Sequence, residues 1–474
     1  MLRGCATIGP MPDRLSAFDA SLLFAEDPAT PMHIGSVAVF ARPRTGFDYE
    51  SLVDLVERRL ALIPRYRQRV LEVPLQLARP VWVDDERFDI TYHVRRSALP
   101  KPGSAEQLRE LTGRLMSRPL DRERPLWEVY LVEGLAEDRL AIITKTHNAL
   151  VDGIDAIEIG QAILDPGPRE RAEAGWSWSP RSAPSGPRLL LDALREALAS
   201  PVELLDTARL AVGDLAASVR KCRDTLGALR SALTRPAPGS PLNTALGPHR
   251  RFATGATELG AYRDIAERVG ATVNDVVLAV VAGALRSWFT GRGEPLDPGS
   301  LVRALVPLST NEDDDETVTP YLVDLPVGEP DPLGRLRQVR NQLRAHTESG
   351  HSVAARVLLH AHGLAPATLH ALGSRTASGF TRHVFNLVIT NVPGPQVPLY
   401  AAGARMVEMY PVVPLLRNQA LAIGVSSYDG GVYFGLNADR AALADVGELA
   451  GLLEAELGEL HRRTAELESA ELTN

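Results

Sequence analysis

Residues 139–164 limit the fold more than any other stretch. Leu140, Ile142, Thr144 and Thr146 recur at alternate positions, which places them on one face of an extended strand. Ile154, Ala156, Ile157, Ile159 and Ile163 then recur at helical spacing. Between the two periods runs Lys145-Thr146-His147-Asn148-Ala149-Leu150-Val151-Asp152-Gly153. A strand, a tight polar turn and a helix demand an α/β arrangement, in which such a turn holds a polar group at the mouth of a cleft.

The chain has 474 residues, enough for two or three domains and a substantial core. Composition divides it into a flexible extension at 1–12, an α/β domain at 13–175, a helical connection at 176–249 and a second α/β domain at 250–474. The connection opens on the Pro-, Ser- and Trp-rich stretch from Gly175 to Pro187. It continues as helix from Leu189 to about Leu233 and closes in the proline-rich 235–249.

In the first domain, periodicity predicts a strand within Met32–Phe40, a helix over 50–63, and a hairpin that pairs Trp127–Val132 with the strand delivering His147. In the second, Thr272 to Asp275 has capping-box spacing ahead of an apolar helix, Val276–Trp288. Leu301–Leu308 and Val318–Val327 read as core strands, with Asn311–Glu316 between them as a solvated acidic loop. Residues 331–372 read as helices, and Phe385–Pro395 as a strand ending in a sharp turn. Gln419–Tyr428 and Gly431–Leu436 form a hairpin across Asp429-Gly430, and Val446–Glu468 is the closing helix.

Several classes of chemistry are excluded or disfavoured. A net charge of −8 argues against a nucleic-acid-binding surface. Cys5 and Cys222 have no metal-ligand spacing and suggest no disulfide framework, which fits a cytoplasmic protein. His346, His351, His360, His362 and His370 contain no HExxH pair, so no metal and no other cofactor is expected. There is no G-x-S-x-G elbow, P-loop or GxGxxG fingerprint. The longest apolar run, Val276–Leu285, is too short to span a bilayer, so any membrane contact is expected to be peripheral. His33 reads as a strand histidine satisfied by its neighbours, and Trp127 as the buried anchor of its hairpin.

Six or so ordered motifs resemble those of the bacterial wax ester synthase/diacylglycerol acyltransferase family, part of the CoA-dependent acyltransferase superfamily. His147 to Gly153 is similar to its HHxxxDG signature. Ser16–Ala20 and Met32–Gly35 resemble its LSxxDAxFL and TPMHVG segments, and Pro125–Trp127 its PLW. Asn274 and Asp275 match an ND motif, and Asn386–Pro395 resembles NxxxSNVPGP, with Thr390 in place of the usual serine beside Asn391. The resemblance implies two chloramphenicol-acetyltransferase-like domains with an interdomain active-site tunnel. It also implies transfer of a long-chain acyl group from acyl-CoA to diacylglycerol or to a long-chain alcohol, at a membrane or lipid-droplet surface.

In that family the second histidine of HHxxxDG is the general base, and the aspartate fixes the local geometry. The matching residues here are Asn148 and Asp152, while Gly153 permits the close turn into the next helix. Attack of an alcohol on a thioester needs a base for the alcohol proton and a donor for the oxyanion. A carboxamide has no useful basicity, although it can hold an alcohol by a hydrogen bond. Three readings stay open: an inactivating change at Asn148, a base supplied elsewhere, or rescue by His147 through a local twist. Asn148, His147, Asp152 and Gly153 are expected at the reaction centre. Asn274, Asp275, Thr390 and Asn391 come from the second domain as substrate-binding or structural residues, with Trp127 as a brace. Two other functions fit the same residues. One is a condensation-like acyltransferase using a carrier-protein thioester, and the other a catalytically silent acyl-CoA- or lipid-binding protein.

Overall fold

The computed structural model describes residues 13–44, 46–74, 78–151, 159–169, 178–199, 236–312, 315–349 and 384–471. Ser16 and Asp48 accept backbone N–H groups three residues on, and so start α1 (Ala17–Ala25) and α2 (Tyr49–Arg59) on either side of β1 (His33–Ala41). The helix expected over 50–63 ends four residues early. The amides of Leu60, Ala61 and Leu62 close onto Val56, Arg58 and Arg59 carbonyls as a terminal turn before Pro64. A small hairpin, β2 (Gln68–Leu71) with β3 (Val81–Asp84), leads to α3 (Ile90–His93) and β4 (Val94–Ala98). Helix α4 (Ala105–Met116) opens on a full capping box between Ser104 and Gln107. The expected hairpin follows as β5 (Trp127–Leu135) and β6 (Arg139–His147).

Beyond the motif turn come α5 (Ile159–Ala162) and α6 (Gly186–Ala199). The rest of the helix expected to Leu233 lies outside the described residues, and residues 236–249 are without helix or strand, as composition implied. The second half begins with β7 (Arg250–Glu258) and α7 (Leu259–Val269), which stops at left-handed Gly270. Helix α8 (Val273–Gly291) starts on the reciprocal Thr272–Asp275 capping box. Strands β8 (Val302–Glu312) and β9 (Asp315–Leu325) precede α9 (Pro332–Ser349). Then come β10 (Leu387–Pro393), β11 (Tyr400–Ala401), β12 (Ala404–Val412), β13 (Leu421–Tyr428), β14 (Gly431–Asp439) and α10 (Val446–Glu471).

Two six-stranded sheets result, in the orders β11-β12-β1-β6-β5-β4 and β7-β14-β13-β10-β8-β9. The first is antiparallel except where β4 meets β5, and the second holds β10 parallel to both of its neighbours. Residues 400–412 therefore leave the second half and complete the sheet of the first, with Gly35 opposite Val412 and Ala41 opposite Arg405. Strand periodicity carries no information about which sheet a strand joins. The acidic run Asn311–Glu316 is also corrected. Asn311 and Glu312, and Asp315 and Glu316, are the ends of two strands, with Asn311 paired to Glu316 and Glu312 to Asp315, while residues 313–314 lie outside the described residues.

Each half has its own core. One is built on β1, β5, β6 and α2, and the other on α8, α10 and the inner strands of the second sheet. They meet where β12 passes over β13 and β14, with Tyr410 edge-on to Tyr433 at 5.5 Å. A Cβ at Gly435 would lie 1.8 Å from the Pro411 carbonyl oxygen, so the crossing requires glycine there. On the other side α4 packs against β7. A Cβ at Gly113 would come within 2.8 Å of the Arg250 carbonyl, and Arg250 donates its N–H to Ser117 Oγ at 2.8 Å.

Candidate functional site

The motif turn is held from three sides. His147 ends β6 opposite His33 of β1 and donates its N–H to Leu126 at 2.9 Å. Asn148 donates its own N–H to Met32 at 2.8 Å, and the chain then tightens into a single 3-10 turn, Asn148–Leu150, packed against α1. His147 caps that turn, its Nδ1 accepting the Ala149 N–H at 3.0 Å. This bond fixes the tautomer, because an accepting Nδ1 leaves the proton on Nε2. Burial, reinforced by the Arg122 guanidinium, pulls the His147 pKa down to about 3. Its basic lone pair is occupied and its ring stays neutral. Asn148 is half-buried, and its carboxamide makes no hydrogen bond to the described residues. Asp152 and Gly153 lie outside the described residues, as does most of the helix expected from Ile154.

A carboxylate that sequence reasoning missed sits behind the turn. Glu26 places Oε1 3.6 Å from His33 Nε2 and Oε2 3.8 Å from His147 Nε2, and Arg122 holds it at 2.6 Å. A charged residue at a helix end normally reads as solvated, so no local signal marks it. The expectation for His33 is corrected too. With Glu26 and the Met116 backbone beside it, its ring nitrogens find no hydrogen bond of ordinary geometry. Burial first, then Lys145, His147 and Arg250, holds its pKa well below the usual value. One face of β6 is thus polar and dry. On it Lys145, fully buried, donates to the Arg118 carbonyl at 2.6 Å and pairs with Glu128 at 3.3 Å.

Trp127 lies at the start of β5. It is fully buried, donates Nε1–H to the Tyr66 carbonyl at 2.7 Å and stacks on His93 at 4.5 Å. In the second half Asn391 donates to Asn274 at 3.0 Å, joining the end of β10 to the start of α8. Asp275 is buried, and its N–H and carboxylate both serve its capping box with Thr272. Thr390 lies one residue before Asn391 on β10 and is half-buried. Among the described residues no group of three metal-binding side chains forms.

Three buried neutral histidines make stability depend on acid. His147 and His93 have pKa values pulled to about 3 and about 4, and His33 is shifted the same way. Each is neutral when folded yet binds a proton when unfolded below about pH 6.5. Their contribution is complete above that pH and falls as pH drops towards 4. Each loses up to about 1.4 kcal/mol per pH unit. Urea unfolding at pH 7 and pH 5 should show the drop, and His147→Gln should flatten it. An unchanged midpoint between the two would contradict the buried neutral state.

A model described as the wax ester synthase/diacylglycerol acyltransferase catalytic domain matches residues 15–277, and one described as the WS/DGAT C-terminal domain matches residues 317–461. A Mycobacterium tuberculosis protein named a probable diacylglycerol O-acyltransferase is 48% identical over 262 residues, 54% of this chain and 97% of that protein. Another of the same organism and the same naming is 34% identical over 467 residues, 95% of this chain and 99% of the relative. The solved wax ester synthase/diacylglycerol acyltransferase from Marinobacter aquaeolei is 29% identical, with a TM-score of 0.70 over 96% of this chain and 100% of that one. The two sheets and this superposition bear out the expected chloramphenicol-acetyltransferase-like fold. With a catalytic-domain model over its first half, a C-terminal model over its second and a relative that aligns along 95% of its length, the chain belongs to the wax ester synthase/diacylglycerol acyltransferase family.

Proposed function

We propose that the chain transfers a long-chain acyl group from acyl-CoA to the free hydroxyl of diacylglycerol, and also to long-chain alcohols. Family membership along both halves carries this reading, and the relatives' names supply the acceptor. The alcohol oxygen attacks the thioester carbonyl, the C–S bond breaks, and the alcohol proton ends on the CoA sulfur. Asn148 holds the hydroxyl by hydrogen bonding, Asp152 and Gly153 shape the turn, and Asn274 with Asn391 faces the substrate from the second half. Acceptor and donor meet in a tunnel between the halves. His147 is a poor substitute base, because its Nδ1 is engaged by Ala149 and its pKa lies at about 3. The wild-type rate is therefore expected to be low. Labelled long-chain acyl-CoA incubated with diacylglycerol should give labelled triacylglycerol. Acyl-CoA binding without any product would instead support the silent binding protein.

The apolar acceptor places the enzyme at the cytoplasmic surface of a membrane or lipid droplet, held peripherally. Helix α8 is long and apolar enough to cross a bilayer, but it lies inside the second core, with Val276 to Leu285 all buried. Such a helix is explained by packing. High salt or mild detergent should release the membrane-bound fraction, and resistance to both would refute peripheral attachment.

A further inference from the structure

A cavity of about 640 Å³ opens beside the motif turn, and Arg122 and Leu126 of the site described above are among its lining residues. Its apolar wall is Leu23, Phe24, Val70, Leu71 and Leu126. Leu23 and Phe24 belong to α1, which packs on the turn Asn148–Leu150, and the Leu126 carbonyl accepts the His147 N–H. One helix and one peptide unit therefore separate the cavity from the proposed reaction centre. Its volume falls within the roughly 300–1,000 Å³ of small-molecule sites.

The rim decides what kind of ligand fits. Arg69, Arg87, Arg122 and Arg124 line it. Arg122 is committed to Glu26 and the Leu23 carbonyl, and Arg124 lies over the Tyr92 ring at 3.9 Å. Glu72, Asp85, Glu86 and Glu123 balance them charge for charge. A phosphate-bearing ligand would meet as many carboxylates as guanidinium groups and gain no net attraction. An uncharged amphiphile pays no such penalty. Its alkyl part covers the apolar wall, and its hydroxyl or ester groups find both donors and acceptors at the rim.

We infer that this cavity holds the alkyl portion of the acyl acceptor, a long-chain alcohol or one chain of diacylglycerol, and excludes the CoA donor. The inference rests on the acyltransferase reading above and names the acceptor side of that site.

A long-chain alcohol carrying a diazirine, photolysed on the intact protein and mapped by peptide mass spectrometry, tests it without requiring turnover. Label is expected on peptides containing Leu23–Phe24 and Val70–Leu71, displaced by unlabelled long-chain alcohol but not by CoA. Val70→Trp fills the cavity. It should remove that label and raise KM for long-chain alcohols about tenfold, while KM for acyl-CoA stays within about twofold. Val70→Phe fills less of the cavity and serves if Val70→Trp does not fold; it should weaken the same label and leave KM for acyl-CoA within about twofold. Displacement of the label by CoA, or a rise in KM for acyl-CoA in either variant, would assign the cavity to the donor and overturn the inference. Label confined to other peptides would overturn it as well. Labelling here in a protein that transfers no acyl group would instead refute the enzymatic reading and keep the cavity as an alcohol-binding site.

Discussion

Asn148→His is expected to raise kcat with long-chain acyl-CoA and diacylglycerol by about 10²–10⁴-fold, the usual worth of a positioned general base. That corresponds to roughly 3–5 kcal/mol of transition-state stabilisation. The argument starts from the turn. Asn148 has its backbone fixed by Met32 and its carboxamide unpartnered among the described residues, so a side chain there is free to meet the alcohol. KM should change little, because imidazole adds proton transfer more than apolar contact. The rate should also gain a rise with pH near 6–7, as the new imidazole loses its proton. His147→Ala separates the alternative. That variant should lose some stability, through the lost cap on Ala149, and leave the native rate nearly unchanged. If His147→Ala abolishes a robust native activity while Asn148→His adds nothing, His147 is the base and the assignment of Asn148 fails.

Local features of the fold were legible because local chemistry dictates them. Alternating residues and the turn after Leu135 fix the β5–β6 hairpin, and Asp429-Gly430 fixes β13–β14, where both turn residues have positive φ. The Thr272–Asp275 box starts α8 where its spacing says. Pairings between distant segments were not legible. Nothing in Tyr400–Val412 announces that it will pair with β1, and nothing in β10 announces two parallel neighbours. The site divides the same way. His147 and Asn148 stand out in a motif, but Glu26 reaches His147 only through the docking of α1, 121 residues away in sequence. Lys145 and Glu128 look like ordinary strand-surface charges until the chain at Arg95 and Arg118 closes over that face.

Asp165→Ala is expected to cost about 3–5 kcal/mol of stability, the range for breaking a buried ion pair by removing one partner. Asp165 and Arg59 are each about 2% exposed at the side chain, and Arg59 Nη2 meets both carboxylate oxygens at 2.7 Å. Removing the carboxylate takes its closest counter-charge from a buried guanidinium, and the loss then exceeds the net worth of the pair. The position gives the loss a functional side. Arg59 lies on α2, Asp165 follows α5 just after the motif segment, and the Asp165 backbone exchanges two hydrogen bonds with Tyr400 at 2.7 and 2.9 Å. One ion pair thus ties the segment behind the motif to the first core, beside the strand contributed from the C-terminal half. Urea unfolding should show the lower midpoint, and activity should fall through a smaller folded fraction with KM nearly unchanged among molecules that remain folded. Pairing Arg59→Met with Asp165→Leu removes both charges and should recover most of the loss. A single-variant cost below about 1 kcal/mol, as for an exposed pair, would mean that water reaches Arg59 and that this link does not brace the motif segment.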